Sequence, residues 1–294
     1  MYFFLYYFSL EFKKSESISS APRYVNHIEY DQFRNDGSLL IADYTQLKNI
    51  ADEKVTQIVA SGFKYITDFK QLAPFRVVVL DISSHCLKVF DRSNKSTGVF
   101  AGICDSSGFT DGQSARFNLP RSLAFDERNP GRLLITDFRN NALRFANITN
   151  GVVGTVIRTG FNRPRGLAWH NKSLLVCNEN YISEVVWDVN GAVSNKRLTI
   201  ATGYGYRDGA FSLAQFSIPV EIQQISPGFF LIADHQNRKL RLLDMFRRKV
   251  LPVCDGSLST CTRGTALAAS PNSLLVSNGT VYIGGHPTIF KLTG

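Results

Sequence analysis

No run of 18 consecutive apolar residues occurs in the 294 residues, so no segment can cross a bilayer as a helix. Cysteine is sparse, five in all, and no pair is spaced Cys-x-x-Cys, so no common zinc pattern is matched. Gly-x-Ser-x-Gly, the P-loop and His-Glu-x-x-His are all missing, which removes the signatures of the commonest hydrolases and nucleotide binders. The five histidines, His27, His85, His170, His235 and His286, fall in turns and strand ends on different sides of the fold inferred below. That scatter suits surface histidines, and neither a metal nor a cofactor is expected.

The chain is 44% apolar and 12% aromatic, with 22 Phe, 22 Gly and 10 Pro. Aromatic and β-branched residues punctuated by Gly and Pro favour strands, and an all-β chain of this length can form one domain. The net charge of +9 favours acidic partners, whether nucleic acid, sulfated glycan, anionic membrane or acidic protein. It is equally compatible with a soluble basic protein that has no polyanion role.

One pattern organises everything else. Asp111-Gly112, Ala115-Arg116-Phe117-Asn118-Leu119-Pro120, Ser122-Leu123-Ala124-Phe125-Asp126, Leu133-Leu134-Ile135-Thr136-Asp137 and Asn141-Ala142-Leu143-Arg144 follow in order. Asp208-Gly209, Ala214-Gln215-Phe216-Ser217-Ile218-Pro219, Phe230-Leu231-Ile232-Ala233-Asp234, Asn237, Leu240 and Arg241 repeat it. The apolar run ending in Asp recurs at Leu39–Asp43 and Val77–Asp81, with variants ending at Asn178 and Gly285, making six units of about 46 residues. A unit of this kind cannot bury its apolar face alone and must stack on its neighbours. Asp43, Asp81, Asp137, Asn178 and Asp234 are expected to form turns by bonding backbone amides. A basic residue follows three of them in the next strand: Lys88, Arg144 and Arg241.

The Asp-Gly, Ala-x-Phe-x-x-Pro, Leu-Ala-x-Asp and apolar-run-Asp steps resemble the NHL family over residues 24–292. The resemblance is strongest in the third and fifth units. It implies an all-β, six-bladed β-propeller of four-stranded antiparallel blades spanning residues 23–294. It also implies a platform for partners, with single-stranded RNA binding or a metal-dependent lyase or hydrolase activity as alternatives known among similar propellers. Fold alone does not choose among these.

With strands A to D running from the channel outward, the D-to-A and B-to-C loops share one face, here the motif face. The inserted D-to-A sequence, around 102–119, 203–217 and 254–268, crowds that face. On or near that face lie Arg116, Arg121, Arg139, Arg163, Arg165, Arg207 and Arg238 as candidate ligand-binding cations, with Phe109, Tyr204 and Tyr206 as candidate stacking residues. The sequons at Asn94, Asn147, Asn171 and Asn278 fall in turns of the opposite face, where glycans leave the motif face free.

Cys86 and Cys104 sit at neighbouring strand ends and are expected to pair. Cys254 and Cys261 bracket a short loop they could close, and Cys177 is expected as a buried thiol. Paired cysteines with sequons favour an exported protein. Residues 1–22 admit two readings. Tyr2–Phe12 could be the apolar core of a signal peptide. Alternatively, Phe8, Leu10 and Phe12 alternate as a strand would, and such a strand could close a sixth blade that otherwise lacks its outer member. The leading functional reading is a non-enzymatic interaction module binding a protein or acidic glycan on the motif face, with nucleic acid as a less favoured partner.

Overall fold

A computed structural model describes residues 14–18, 25–34, 36–52, 54–188, 193–201, 203–253, 270–277, 280–285 and 289–293. They form a six-bladed β-propeller. Helix among the described residues is limited to two 3-10 turns, Ile82–Ser84 and Phe138–Asn140.

Strand β1 (Lys14–Ile18) precedes five blades in chain order. The first is β2 (His27–Tyr30), β3 (Leu39–Ala42), β4 (Leu47–Ala51) and β5 (Lys54–Ala60); the second is β6 (Ile66–Ala73), β7 (Arg76–Asp81), β8 (Cys86–Asp91) and β9 (Ser96–Ala101). The third is β10 (Pro120–Phe125), β11 (Arg132–Asp137), β12 (Ala142–Asn147) and β13 (Val153–Ile157); the fourth is β14 (Leu167–His170), β15 (Ser173–Cys177), β16 (Ile182–Trp187) and β17 (Val193–Ile200). In the fifth blade a two-residue strand, β18 (Gly209–Ala210), adds to the outer edge of β19 (Pro219–Ser226), β20 (Phe229–Asp234), β21 (Lys239–Asp244) and β22 (Lys249–Pro252). The sixth is β23 (Pro271–Ser277), β24 (Thr280–Gly285) and β25 (Ile289–Thr293). Its outer strand is β1, paired antiparallel from Lys14 opposite Thr293 to Ile18 opposite Ile289. Residues 14–18 therefore close the ring, while Phe8, Leu10 and Phe12 lie outside the described residues.

All six blades share one register. The inner A strand places Ile28, Phe69, Leu123, Leu167, Ile222 and Leu274 opposite the residue two before the repeat's anchor: Ile41, Val79, Ile135, Val176, Ile232 and Ile283. Four A strands slip register just before this point. Such a bulge re-aims side chains, and here consecutive residues, Arg121 and Ser122 for example, both line the channel. The channel wall is thus built of stacked rings, one residue per blade.

Between blades, apolar side chains of adjacent sheets interlock. Val78, Leu80 and Leu87 of the second blade meet Leu123, Leu133 and Ile135 of the third around Phe117, all buried. Phe216 does the same between the fourth and fifth. These phenylalanines are the Phe of Ala-x-Phe-x-x-Pro, which explains the repeat: each plugs the gap between blades.

The Asp-Gly and Arg steps form a second structural device. Arg144 is fully buried; its Nη1 pairs with Asp137 Oδ2 at 2.9 Å, and its Nη2 with Asp111 Oδ1 at 2.5 Å and the Thr110 carbonyl at 2.7 Å. Arg241 repeats this with Asp234 at 2.8 Å, Asp208 at 2.6 Å and the Arg207 carbonyl at 2.7 Å. The anchor carboxylates reach away from their own turns. Asp137 accepts from the Asn118 amide and Asp234 from the Ser217 amide, both at 2.8 Å; Asn178 accepts from the Asn162 amide at 3.0 Å. Asp81 takes the Lys64 and Tyr65 amides at 3.0 Å. Asp43 instead takes backbone amides of its own turn, those of Thr45 and Gln46, whereas Asp81, Asp137 and Asp234 accept within their turns from the side chains of Ser84, Asn140 and Asn237. The 3-10 turns satisfy themselves internally through His85 and Asn141, which leaves each carboxylate free to tie the incoming D-to-A loop to the blade.

Cys86 and Cys104 are bonded, with Cα atoms 5.0 Å apart, and Cys177 is a buried thiol. Cys254 and Cys261 lie outside the described residues, as does the loop around 254–268.

Candidate functional site

Aligning the A strands on their shared register defines the mouth of the channel on the motif face: Asn26, Thr67, Arg121, Arg165, Val220 and Asn272. All six of these, with Tyr65, Ser122 and Glu221, enclose a cavity of about 60 Å³. That volume suits one ligand group, such as a carboxylate or sulfate, rather than a whole small molecule.

The mouth is electropositive. The guanidinium carbons of Arg121, Arg163 and Arg165 lie 4.9, 6.0 and 4.7 Å from the centre of the Phe138 ring. One carboxylate serves them: Glu179 pairs with Arg165 at 3.0 Å and Arg163 at 3.3 Å, and also accepts from the Tyr204 hydroxyl at 2.9 Å. Arg121 forms no ion pair among the described residues, and the buried Nε atoms of Arg121 and Arg165 have no hydrogen-bond partner. Burial and the neighbouring Arg121 pull Arg165 down to about 10. Burial, with both arginines adding to it, also depresses His235. An anion seated here would relieve both the repulsion and the unmet donors.

Of the residues singled out from sequence, Arg121, Arg163, Arg165 and Tyr204 converge on this mouth. Arg139 is exposed and lies toward His85, whose imidazole it helps depress after burial. Arg116, Arg207 and Arg238 are exposed on the outer loops; the first two lend their carbonyls to the buried Arg144 and Arg241. Phe109 is half-buried and Tyr206 exposed, and cations lie against both rings. Arg144 and Arg158 sit 4.4 and 4.0 Å from the Phe109 ring, and Arg241 and Lys239 sit 4.7 and 5.4 Å from that of Tyr206. Both rings cover buried arginines. Of the sequon asparagines, Asn94 and Asn171 are exposed and Asn147 is half-buried, all in turns away from the motif face; Asn278 lies outside the described residues.

Below the mouth the next ring is His27, Asp68, Ser122, Gly166, Glu221 and Ser273. Glycine is required at 166, because a Cβ there would come within 2.8 Å of the Glu221 Cα. His27 is buried here, not on the surface as the sequence suggested. Its Nε2 lies 3.1 Å from Asp68 and 3.5 Å from Glu29. Lys70 Nζ lies 2.5 Å from Glu29 and 3.3 Å from Asp68. Burial alone would raise Glu29, but Lys70 and His27 outweigh it and hold the carboxyl at about 2. Glu221 joins no ion pair among the described residues, and burial, with Asp68 nearby, raises it to about 7.

Beyond this waist the channel widens to a cavity of about 530 Å³ opening on the face opposite the motif loops. Its walls include Glu29, Lys70, Phe125, Trp169, Gln223 and Leu275. No three His, Cys, Asp or Glu side chains among the described residues are grouped so as to hold a metal. Sequence reasoning passed over Phe138, Glu179, Glu221 and the Glu29–Lys70 pair. Alignment of the six A strands would have brought out the channel residues among them.

No protein-family model matches the sequence, and no curated protein is similar to it at that level. Solved structures share the architecture. An auxiliary nutrient binding protein from Bacteroides ovatus superposes with a TM-score of 0.71 at 13% identity, covering 93% of this chain and 70% of its own. A gluconolactonase from Xanthomonas campestris gives 0.67 at 10% identity over 95% and 89%. Virginiamycin B lyase from Staphylococcus aureus gives 0.59 at 12% identity over 96% and 98%. At such identities the likeness is one of fold, and what the chain shares with these binding proteins and enzymes is the six-bladed propeller.

Proposed function

We propose that the protein is a non-enzymatic binding module of the exported compartment, whose motif face takes an acidic partner, a protein or an acidic glycan. One acidic group of that partner seats between Arg121 and Arg165. The observation that carries this reading is Arg121: a guanidinium at the channel mouth with no carboxylate paired to it, beside a second guanidinium and a cavity the size of one anionic group. Arg116, Arg139, Arg163, Arg207 and Arg238 would add a diffuse attraction that steers the partner without fixing its register. The Cys86–Cys104 bond supports the compartment, since such bonds persist in oxidising surroundings. Glycans at Asn94, Asn147 and Asn171 would decorate the free face. The arginines packed against Phe109 and Tyr206 leave less ring face for base stacking, which weighs against an RNA reader.

The test is binding of heparin and of poly-glutamate by the wild-type chain and by Arg121→Gln across a salt series. The reading requires affinity that falls with salt and drops at least about tenfold in the variant. Unchanged affinity in Arg121→Gln at low salt overturns it.

A further inference from the structure

The second cavity has a character opposite to the mouth. Where the mouth is small and cationic, this end is roomy, partly aromatic and acidic. Its volume of about 530 Å³ lies within the range of small-molecule sites and exceeds what a single group needs. Phe125 is 40% exposed there. Trp169 is held rigidly beside it, its indole N–H bonded to the Phe125 carbonyl at 2.8 Å and its ring stacked on Trp187 at 5.5 Å. Gln32, Gln223 and Gln224 bring amides to the same wall. A fixed aromatic plate flanked by amide donors and acceptors suits a ring bearing hydroxyl groups.

The charges select further. Four carboxylates line the cavity, Glu29, Asp68, Glu127 and Glu221, against one lysine. Lys70 is committed to Glu29 and Asp68. Asp68 also accepts from the Ser122 hydroxyl at 2.9 Å and the Leu123 amide at 2.7 Å. Glu221 at the floor and Glu127 at the rim form no ion pair among the described residues. The buried His27 contributes Nδ1, which has no hydrogen-bond partner. A buried polar atom without a partner is rare in folded proteins and points to a group that completes the site.

We infer that this cavity is a second binding site, on the face away from the motif loops, for an amino sugar, whose ammonium is held by Glu221 and whose ring lies against Trp169 and Phe125. The site meets the mouth cavity at Glu221, which lines both, but takes its ligand from the opposite face and is tested separately from the acidic-partner surface.

Trp169 and Trp187 are the only two tryptophans in the chain, and they stack on each other at this wall. Intrinsic fluorescence therefore reports directly on occupancy. Glucosamine and glucose, which differ at one position by ammonium against hydroxyl, are the probes, titrated into the intact protein. Glucosamine should change the emission saturably, with glucose at least about tenfold weaker. Glu221→Gln should weaken glucosamine about tenfold and Glu127→Gln about threefold. Glu127 is exposed, so its substitution leaves folding intact. Arg121→Gln should leave glucosamine binding unchanged even if it abolishes binding of acidic polymers. Equal affinity for the two sugars, unchanged affinity in both glutamate variants, or no saturable response from the folded protein would each overturn the inference.

Discussion

The third and fifth blades hold their incoming loops with a fully buried arginine between two aspartates; the fourth has no such arginine. Where Asp137 and Asp234 grip Arg144 and Arg241, Asn178 bonds the Ser183 hydroxyl at 3.1 Å and the Val176 carbonyl at 3.0 Å. The difference follows the loop. The third and fifth blades receive long Asp-Gly loops, whose Thr110, Arg116, Arg207 and Gln215 carbonyls converge on the guanidinium. The fourth receives the shorter segment 158–166, where Asn178 takes the Asn162 amide and Glu179 pairs with Arg163 and Arg165. A fully buried arginine thus goes with a long loop that has many carbonyls to satisfy, while a short one is held by an anchor amide and a carboxylate at the channel mouth.

The sharpest way to break the comparison is to remove one arginine. Arg144→Met leaves Asp137 buried and uncompensated and should cost about 3–5 kcal/mol. The equivalent loss at Arg241 should match it, as equilibrium denaturation of each variant would reveal. Removing the second constraint on the 102–119 loop, with Cys86→Ser and Cys104→Ser together, should cost about 3 kcal/mol by freeing a closed loop in the unfolded chain. A thermal midpoint equal to wild type would show that the ion clamp alone holds that loop. Asn178→Asp tests the converse. It buries a charge with no arginine to meet it and should destabilise by about 1–3 kcal/mol, more at pH 8 than at pH 5. A neutral outcome would mean that Arg165 or solvent reaches the position.

The channel gives a smaller effect with two signs. Glu29, held at about 2, contributes stability that is complete above the unfolded value of 4.5 and lost as the pH falls toward 2. Glu221, raised to about 7 chiefly by burial, acts oppositely. Between about 4.5 and 7 the folded chain keeps a proton that the unfolded chain has released, so stability declines as pH rises, by at most about 1.4 kcal/mol per unit. Glu221→Gln should flatten that decline, read from denaturant midpoints at pH 5 and 7. Smallest of all, Arg116, Arg163 and Arg207 replaced together by Ser should shift stability by less than about 1 kcal/mol while lessening the salt dependence of acidic-partner binding.

The propeller was legible because its signals are local. An apolar run closed by Asp, or a Phe two residues after Ala, is read within one unit and then repeated. The channel was not, because each ring takes one residue from each blade. Arg121 and Arg165 face the same cavity although a whole blade of sequence separates them, and no periodicity within a strand marks them apart from Arg139, which faces outward. The surroundings of Phe109 and Tyr206 were hidden for another reason. Composition marks an aromatic in a basic loop as a stacking candidate, but only tertiary packing reveals that a buried guanidinium already occupies the ring.

The pairing of β1 with β25 joins segments about 270 residues apart in the chain. During synthesis at roughly 5–20 residues per second, the first strand must wait on the order of 15–60 seconds for its partner. Throughout that interval it is an unpaired edge, open to the same edge on a neighbouring nascent chain and so to domain-swapped assembly. Its sequence, Lys14-Ser15-Glu16-Ser17-Ile18, is polar and carries both signs of charge, a poor template for premature pairing. The strand that completes the ring is thus also the one best suited to stay solvated until the ring is ready to receive it.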